Sequence, residues 1–170
     1  IKIGKNVHIT PMCLVAGGEK GIIFEDFTTI AYGVQIFTQS DDYSGKTMTN
    51  STIPKKYKNE YKKEVVLKKY SIVGAGSIIM PGTTLAKGSS IGAMSLVLKD
   101  TESWSIYVGN PAKKIKKRSK NLLKLKKQYD SSEFREVFER KGVKLVSMDV
   151  GGTLEYSKEQ AREFYNQKLK

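Results

Sequence analysis

Val73-Gly74-Ala75-Gly76-Ser77-Ile78-Ile79-Met80-Pro81-Gly82-Thr83-Thr84-Leu85 opens a stretch, continuing to Asp100, that counts in sixes. Leu67, Val73, Ile79, Leu85, Ile91 and Val97 are all aliphatic and stand six residues apart. Four places after each of the first five comes a small side chain: Ser71, Ser77, Thr83, Ser89 and Ser95. Gly74, Ala86 and Gly92 directly follow the aliphatic Val73, Leu85 and Ile91. A helix returns to one face every 3.6 residues and a strand every 2, so neither alone demands a period of six. A coil of three short flat faces does, with one aliphatic per face pointing inward and a small residue near each corner. Repetition of this kind marks a stacked β-solenoid.

The same count extends outward from this stretch. Ile3, Ile9 and Val15 form a first coil, and Gly17-Gly18-Glu19-Lys20-Gly21 interrupts the period. Phe24, Ile30 and Ile36 resume it, with Thr28 and Val34 at the corner position. Leu67, Val73 and Ile79 then make a third coil, and Leu85, Ile91 and Val97 a fourth. Twelve inward side chains make a narrow prism, each contributing roughly 1.5–3 kcal/mol before chain entropy is subtracted. All twelve are expected in the core.

Between the second and third coils the chain leaves the prism for a polar loop over 39–63. Loops of this length without structure of their own are uncommon and are usually functional or disordered. Asp41 and Asp42 stand at its base, beside Tyr43, and Thr49 and Asn50 belong to a run of hydroxyl and amide side chains suited to a sugar.

The chain has 170 residues and a formal charge of +13. Much of that excess is one block. Lys113, Lys114, Lys116, Lys117, Arg118, Lys120, Lys124, Lys126 and Lys127 have no acidic residue among them. The block is expected to be helical, with Ile115, Leu122, Leu123 and Leu125 as a partial apolar stripe. Such a block binds phosphates or nucleic acid, or is a solvated face. Without interleaved aromatics nucleic acid is not the expected partner, whereas weak contact of the basic helix with a membrane surface is compatible. No apolar run reaches transmembrane length. The single cysteine, Cys13, falls at a corner position and is expected to pack there, as suits a reducing cytoplasm. The chain starts at Ile1 inside a repeat, so its natural N-terminus is expected upstream, and no signal peptide is present.

The repeats resemble those of the bacterial hexapeptide-repeat acyltransferases. Gly109-Asn110-Pro111-Ala112-Lys113 matches the G-x-P-A-(K/R) segment that follows the last coil in that family. The resemblance implies a mainly β fold, a left-handed parallel β-helix over 1–112, with C-terminal helices beginning in a basic linker over 113–142. It implies a homotrimer with each active site between adjacent prisms, acetyl-CoA as acyl donor and no metal. It further implies a sugar acceptor, from a surface polysaccharide or linked to a nucleotide, acylated on oxygen or nitrogen. The coenzyme is then expected at Gly74, Ala75, Gly76, Gly92 and Ala93, where small corners let it approach backbone amides. Gly109, Asn110, Pro111 and Ala112 would lie beside it, with Lys113 and Lys114 meeting its phosphates.

Many members of the family use a loop histidine as base, and this chain has none there. Its one histidine is His8, in the first coil. Three readings of the base stand: Asp41 or Asp42, since paired carboxylates raise one pKa by repulsion; His8 from a neighbouring subunit; or no side chain, with an amine attacking unaided. One of the two aspartates is also suited to fixing the loop through backbone amides. The lone histidine excludes a three-histidine zinc site of the γ-carbonic anhydrase kind. A non-catalytic trimerising scaffold is the alternative and would bind no coenzyme A.

Asp130-Ser131-Ser132-Glu133 reads as a variant capping box for a short helix carrying Phe134, Val137 and Phe138, with Gly142 as its stop. Val143–Met148 then reads as a strand running into Asp149-Val150-Gly151-Gly152-Thr153-Leu154. This resembles the first motif of haloacid-dehalogenase-like hydrolases, with Asp149 matching the nucleophile. Gly151 replaces the second aspartate of phosphatases in that family. Residues 143–170 are thus expected to be the start of such a domain, with a β-hairpin around Gly151-Gly152 as the competing reading.

Overall fold

The computed structural model describes residues 1–130 and the pair Ser147–Met148. The predicted coils are present in the predicted register. Coil one is β1 (Lys2–Ile3), β2 (His8–Ile9) and β3 (Leu14–Ala16); coil two is β4 (Ile22–Phe24), β5 (Thr29–Ile30) and β6 (Gln35–Phe37). The loop contains β7 (Gln39–Ser40) and β8 (Tyr61–Lys62). Coil three is β9 (Val65–Leu67), β10 (Ile72–Val73) and β11 (Ile78–Ile79), and coil four is β12 (Thr84–Leu85), β13 (Ser90–Ile91) and β14 (Leu96–Val97). After them come β15 (Ser105–Val108), β16 (Lys113–Lys117), α1 (Leu122–Asp130) and β17 (Ser147–Met148).

Each strand pairs in parallel with its counterpart one coil away, giving three faces. The six-residue count appears as three columns of inward side chains. Ile3, Phe24, Leu67 and Leu85 are register partners on face one. Ile9, Ile30, Val73, Ile91 and Tyr107 are partners on face two, and Val15, Ile36, Ile79 and Val97 on face three. All nine aliphatic and aromatic members from coils two to four are at most 2% exposed. Ser71, Ser77, Thr83, Ser89 and Ser95 are buried with them, as the small-residue positions predicted. This is a left-handed parallel β-helix.

Coil one departs from the expectation of a full core. Ile3 is exposed, and Ile9 and Val15 are only half-buried. An end coil lacks a complete neighbour on one side, so its inward residues keep part of their contact with water. On face two that side is partly covered, because Ser147 and Met148 pair with His8 and Ile9. Of the strand expected over 143–148, Ser147–Met148 is described, and Asp130, expected to open a capping box, is instead the last residue of the preceding helix. The rest of the capping box, its helix and the Asp149 motif lie outside the described residues.

At the other end the basic block is not one helix. Lys113–Lys117 is an antiparallel edge strand on β15, and the helix begins only at Leu122. The strand Ser105–Val108 stacks on coil four and presents a free edge, and Lys113–Lys117 satisfies it. Pairing across the sheet thus overrides the helix preference of lysine. Arg118 ends this strand and turns inward. Its Nη1 donates to the carbonyls of Tyr70 (2.7 Å) and Gly88 (3.1 Å), tying the closing segment to coils three and four.

The corner between faces one and two turns through left-handed residues stacked one per coil. Phe27, Tyr70, Gly88 and Trp104 have φ of 59°, 65°, 70° and 54°. Phe27 stacks on Tyr70 at 5.4 Å between centroids and Tyr70 on Trp104 at 6.2 Å. Gly88 leaves the room that the Trp104 ring fills, since a Cβ there would lie 2.6 Å from it. Gly88→Ala is therefore expected to cost about 1–2 kcal/mol in backbone conformation, besides displacing the ring. Thermal unfolding should show a transition lower by roughly 2–8 °C; an unchanged transition would show that this corner is not under constraint.

Candidate active site

The loop leaves face three just after Phe37 and is gathered into a neck. Gln39 and Ser40 pair antiparallel with Lys62 and Tyr61, and the Lys63 amide donates to the Thr38 carbonyl at 2.9 Å. Beyond the neck, Asp42 holds the loop together. Its Oδ1 accepts from the Ser44 amide at 2.8 Å and its Oδ2 from the Thr47 hydroxyl at 2.9 Å. The Thr47 oxygen in turn accepts from the Asn59 amide at 3.2 Å, joining outgoing and returning limbs. Hydrogen bonds from Ser44, and then from Thr47, favour the ionised carboxylate and hold Asp42 below the usual carboxylate range.

Asp41 is exposed and faces a cavity of about 650 Å³ on face three. The floor is two columns of outward side chains along the prism. Gln35, Ile78 and Leu96 are register partners, and Phe37, Met80 and Leu98 stand two positions further on. Tyr43 and Glu60 join Asp41 in the lining. A second hollow of about 560 Å³ lies within the loop and is lined by Asp41, Asp42, Tyr43, Thr49 and Asn50 among others. Asp41 and Tyr43 belong to both. The Asn50 side-chain Oδ1 accepts from the Thr52 amide and hydroxyl, each at 2.7 Å.

His8 is not in this group. It sits half-buried in β2 on face two, with Thr29 and Ser147 as register partners, so one prism presents it on a different side from Asp41.

The residues expected at the coenzyme lie together on the corner leading into face three. Gly74-Ala75-Gly76, Gly92-Ala93 and Gly109-Asn110-Pro111-Ala112 follow the face-two strands of successive layers. Several amides there are already used. Those of Gly74, Gly76 and Gly92 donate to Ile91, Tyr32 and Tyr107 carbonyls of neighbouring layers, and that of Gly109 to the Ser95 hydroxyl. Ala75 and Ala93 are exposed, and their amides have no partner among the described residues. Lys114 pairs with Glu102 at 2.6 Å, whereas Lys113 is exposed and has no ion pair among the described residues.

Glu60 was not singled out by the sequence. Its link to Asp41 is the antiparallel neck, in which Ser40 opposes Tyr61 and the two carboxylates come next to that pair. Lys62 and then Lys58, each 2.9 Å away, lower the Glu60 pKa to about 2. A carboxyl whose folded pKa is depressed contributes stability above its unfolded value and loses it as pH falls. For Glu60 that window runs from the ordinary 4.5 down to about 2. A carbon NMR titration should therefore place the Glu60 midpoint near 2; one near 4.5 would show the lysine pair open in solution.

Parallel faces, a corner of small residues and a polar loop beside them define a left-handed β-helix with a cleft at its side. No protein-family model matches the chain. It is 35% identical over 152 residues to the dTDP-4-amino-4,6-dideoxy-D-glucose acyltransferase of Escherichia coli, covering 78% of this chain and 79% of that enzyme. The chain belongs to the hexapeptide-repeat acyltransferase family. AntD, an N-acyltransferase from Bacillus cereus, has been solved as a mutant with dTDP-4-amino-4,6-dideoxyglucose and coenzyme A. That structure matches at TM-score 0.74 and 40% identity, over 75% of this chain and 69% of AntD. AntD with dTDP and 3-hydroxybutyryl-CoA matches at TM-score 0.70 and 39% identity, over 72% of this chain and 65% of that one. The chain thus spans about two thirds of AntD's length. A maltose O-acetyltransferase from Clostridium difficile is 29% identical with TM-score 0.59, over 69% of this chain and 59% of its own.

Proposed function

We propose that this chain transfers an acyl group from acyl-CoA, acetyl-CoA in the simplest case, to the amine of a nucleotide-linked 4-amino-4,6-dideoxy sugar. The relatives that act on or bind such a sugar support the acceptor. The observation that carries the chemistry is Asp41, an exposed carboxylate residue that lines both the face-three cavity and the loop hollow. Coenzyme A lies along the small-residue corner, its pantetheine carbonyls accepting from the Ala75 and Ala93 amides and its phosphates meeting Lys113 and Lys114. Gly109, Asn110, Pro111 and Ala112 flank it. The sugar enters from the loop side, against Tyr43, Thr49 and Asn50.

The amine nitrogen attacks the thioester carbonyl carbon, and the carbonyl oxygen takes the negative charge. Asp41 accepts a proton from the nitrogen; the carbon–sulfur bond then breaks, and the proton leaves with the thiolate as coenzyme A thiol. Asp42 holds the loop in place and is the poorer base, because both its oxygens are occupied. A lone histidine on another face also favours an amine acceptor, which needs less help than a hydroxyl.

The working unit is a homotrimer. Met12 and Met94 are 87% and 75% exposed on the small-residue corner, and Leu14 and Leu98 are about half exposed on face three. A second prism would cover this apolar strip and close the site. Sedimentation equilibrium should give three chains per particle, and a monomer at micromolar concentration would contradict it. A cytoplasmic setting suits both substrates. Calorimetry with coenzyme A tests the reading: saturable heat is expected, and its absence would favour a non-catalytic scaffold.

A further inference from the structure

We propose that β16 and α1 together form a docking face for an anionic lipid bilayer. Of the nine cations between Lys113 and Lys127, Arg118 is turned inward onto backbone carbonyls. Lys114 and Lys117 lie beside Glu102, and Lys126 pairs with Asp130. Lys113, Lys116, Lys120, Lys124 and Lys127 remain, all exposed and without an ion pair among the described residues. Lys113 and Lys116 stand on an edge strand whose five residues are all exposed, Lys124 and Lys127 on the helix that follows, and Lys120 in the segment between, with its ammonium over the Trp104 ring. Ile115 and Leu125 stand among them at 55% and 57% exposure.

Lysines interspersed with exposed aliphatic side chains are the pattern of an interfacial surface. The ammonium groups are attracted to lipid phosphates, and the apolar groups enter the headgroup boundary. Nucleic acid is a poorer fit. Among the described residues the one guanidinium fork, that of Arg118, is spent inside the fold, and the nearby Tyr70 and Trp104 rings stack on each other, with the Trp104 ring buried. The face therefore offers neither bidentate readout nor a free stacking platform. Coenzyme phosphates need only a few charges, and Lys116, Lys124 and Lys127 are not among the residues assigned to them.

Cosedimentation of the full chain with vesicles tests the proposal. Binding is expected to vesicles of equal parts phosphatidylglycerol and phosphatidylcholine, weakening as salt rises, and not to phosphatidylcholine alone. Each lysine near such a surface is worth about a fivefold change in partitioning. The triple variant Lys116→Gln, Lys124→Gln and Lys127→Gln should therefore lose about 100-fold, with unchanged thermal unfolding and coenzyme A affinity. Failure to bind the anionic vesicles, equal binding to neutral ones, or parent-like binding by the variant would each overturn the proposal. Tighter retention on a single-stranded oligonucleotide than on the vesicles would overturn it as well and assign the face to nucleic acid.

Discussion

Asp41→Asn is expected to lower kcat by about 10²–10⁴-fold, the range for loss of a positioned general base, with little change in coenzyme affinity. The substitution keeps size and removes charge, and Asp41 is not an anchor of the loop. Asp42→Asn should behave differently. Its two oxygens accept from Ser44 and Thr47, and an amide supplies only one acceptor oxygen. The loss should therefore appear in acceptor KM and in the order of the loop. His8→Ala, on face two, should leave kcat near the parent value. Steady-state kinetics of the three variants separates the cases. If His8→Ala carries the loss while Asp41→Asn stays active, the base is an imidazole from an adjacent copy. If all three remain active, the acceptor amine attacks without a protein base.

Gly74→Ala should produce the largest loss of stability among the corner substitutions considered. An added Cβ would lie 2.4 Å from the Ala93 nitrogen and 2.8 Å from both Ala93 Cα and the Gly92 carbonyl carbon. These are backbone atoms of the next coil, so no side-chain rotation relieves the overlap and the two layers must separate. About 3 kcal/mol is expected, the upper part of the usual range for overpacking. For a chain of this size that lowers the unfolding temperature by roughly 6–12 °C. Coenzyme affinity should fall with it, because the Ala75 and Ala93 amides move apart. A variant melting with the parent would show that coils three and four are not in close contact there.

The prism was legible because its periodicity is set by packing. Only a three-faced coil puts Val73, Ile79 and Leu85 inward at every sixth residue, and those positions admit no water. Ile3 is exposed where the count predicts core, because the count reports which way a side chain points, not whether another layer covers it. Lys113–Lys117 is a strand where the sequence predicts helix, because local preference in a lysine-rich run says nothing of the open edge that Ser105–Val108 offers. The candidate site was legible as a neighbourhood but not as roles. Asp41 and Asp42 are adjacent and alike in sequence, and only the fold of Ser44 and Thr47 around one of them distinguishes anchor from free carboxylate. Glu60 was missed for a similar reason. Its approach to Asp41 depends on pairing between the two ends of the loop, for which Tyr61-Lys62 opposite Gln39-Ser40 was the available signal.

The central claim is acyl transfer from coenzyme A to a nucleotide-linked amino sugar. Its most direct measurement follows thiol release and product mass together, with the full chain, acetyl-CoA or 3-hydroxybutyryl-CoA, and dTDP-4-amino-4,6-dideoxyglucose. One free thiol should appear for each N-acylated sugar nucleotide formed, and Asp41→Asn should suppress both in parallel. Coenzyme A bound tightly with no sugar product from either donor would contradict the account.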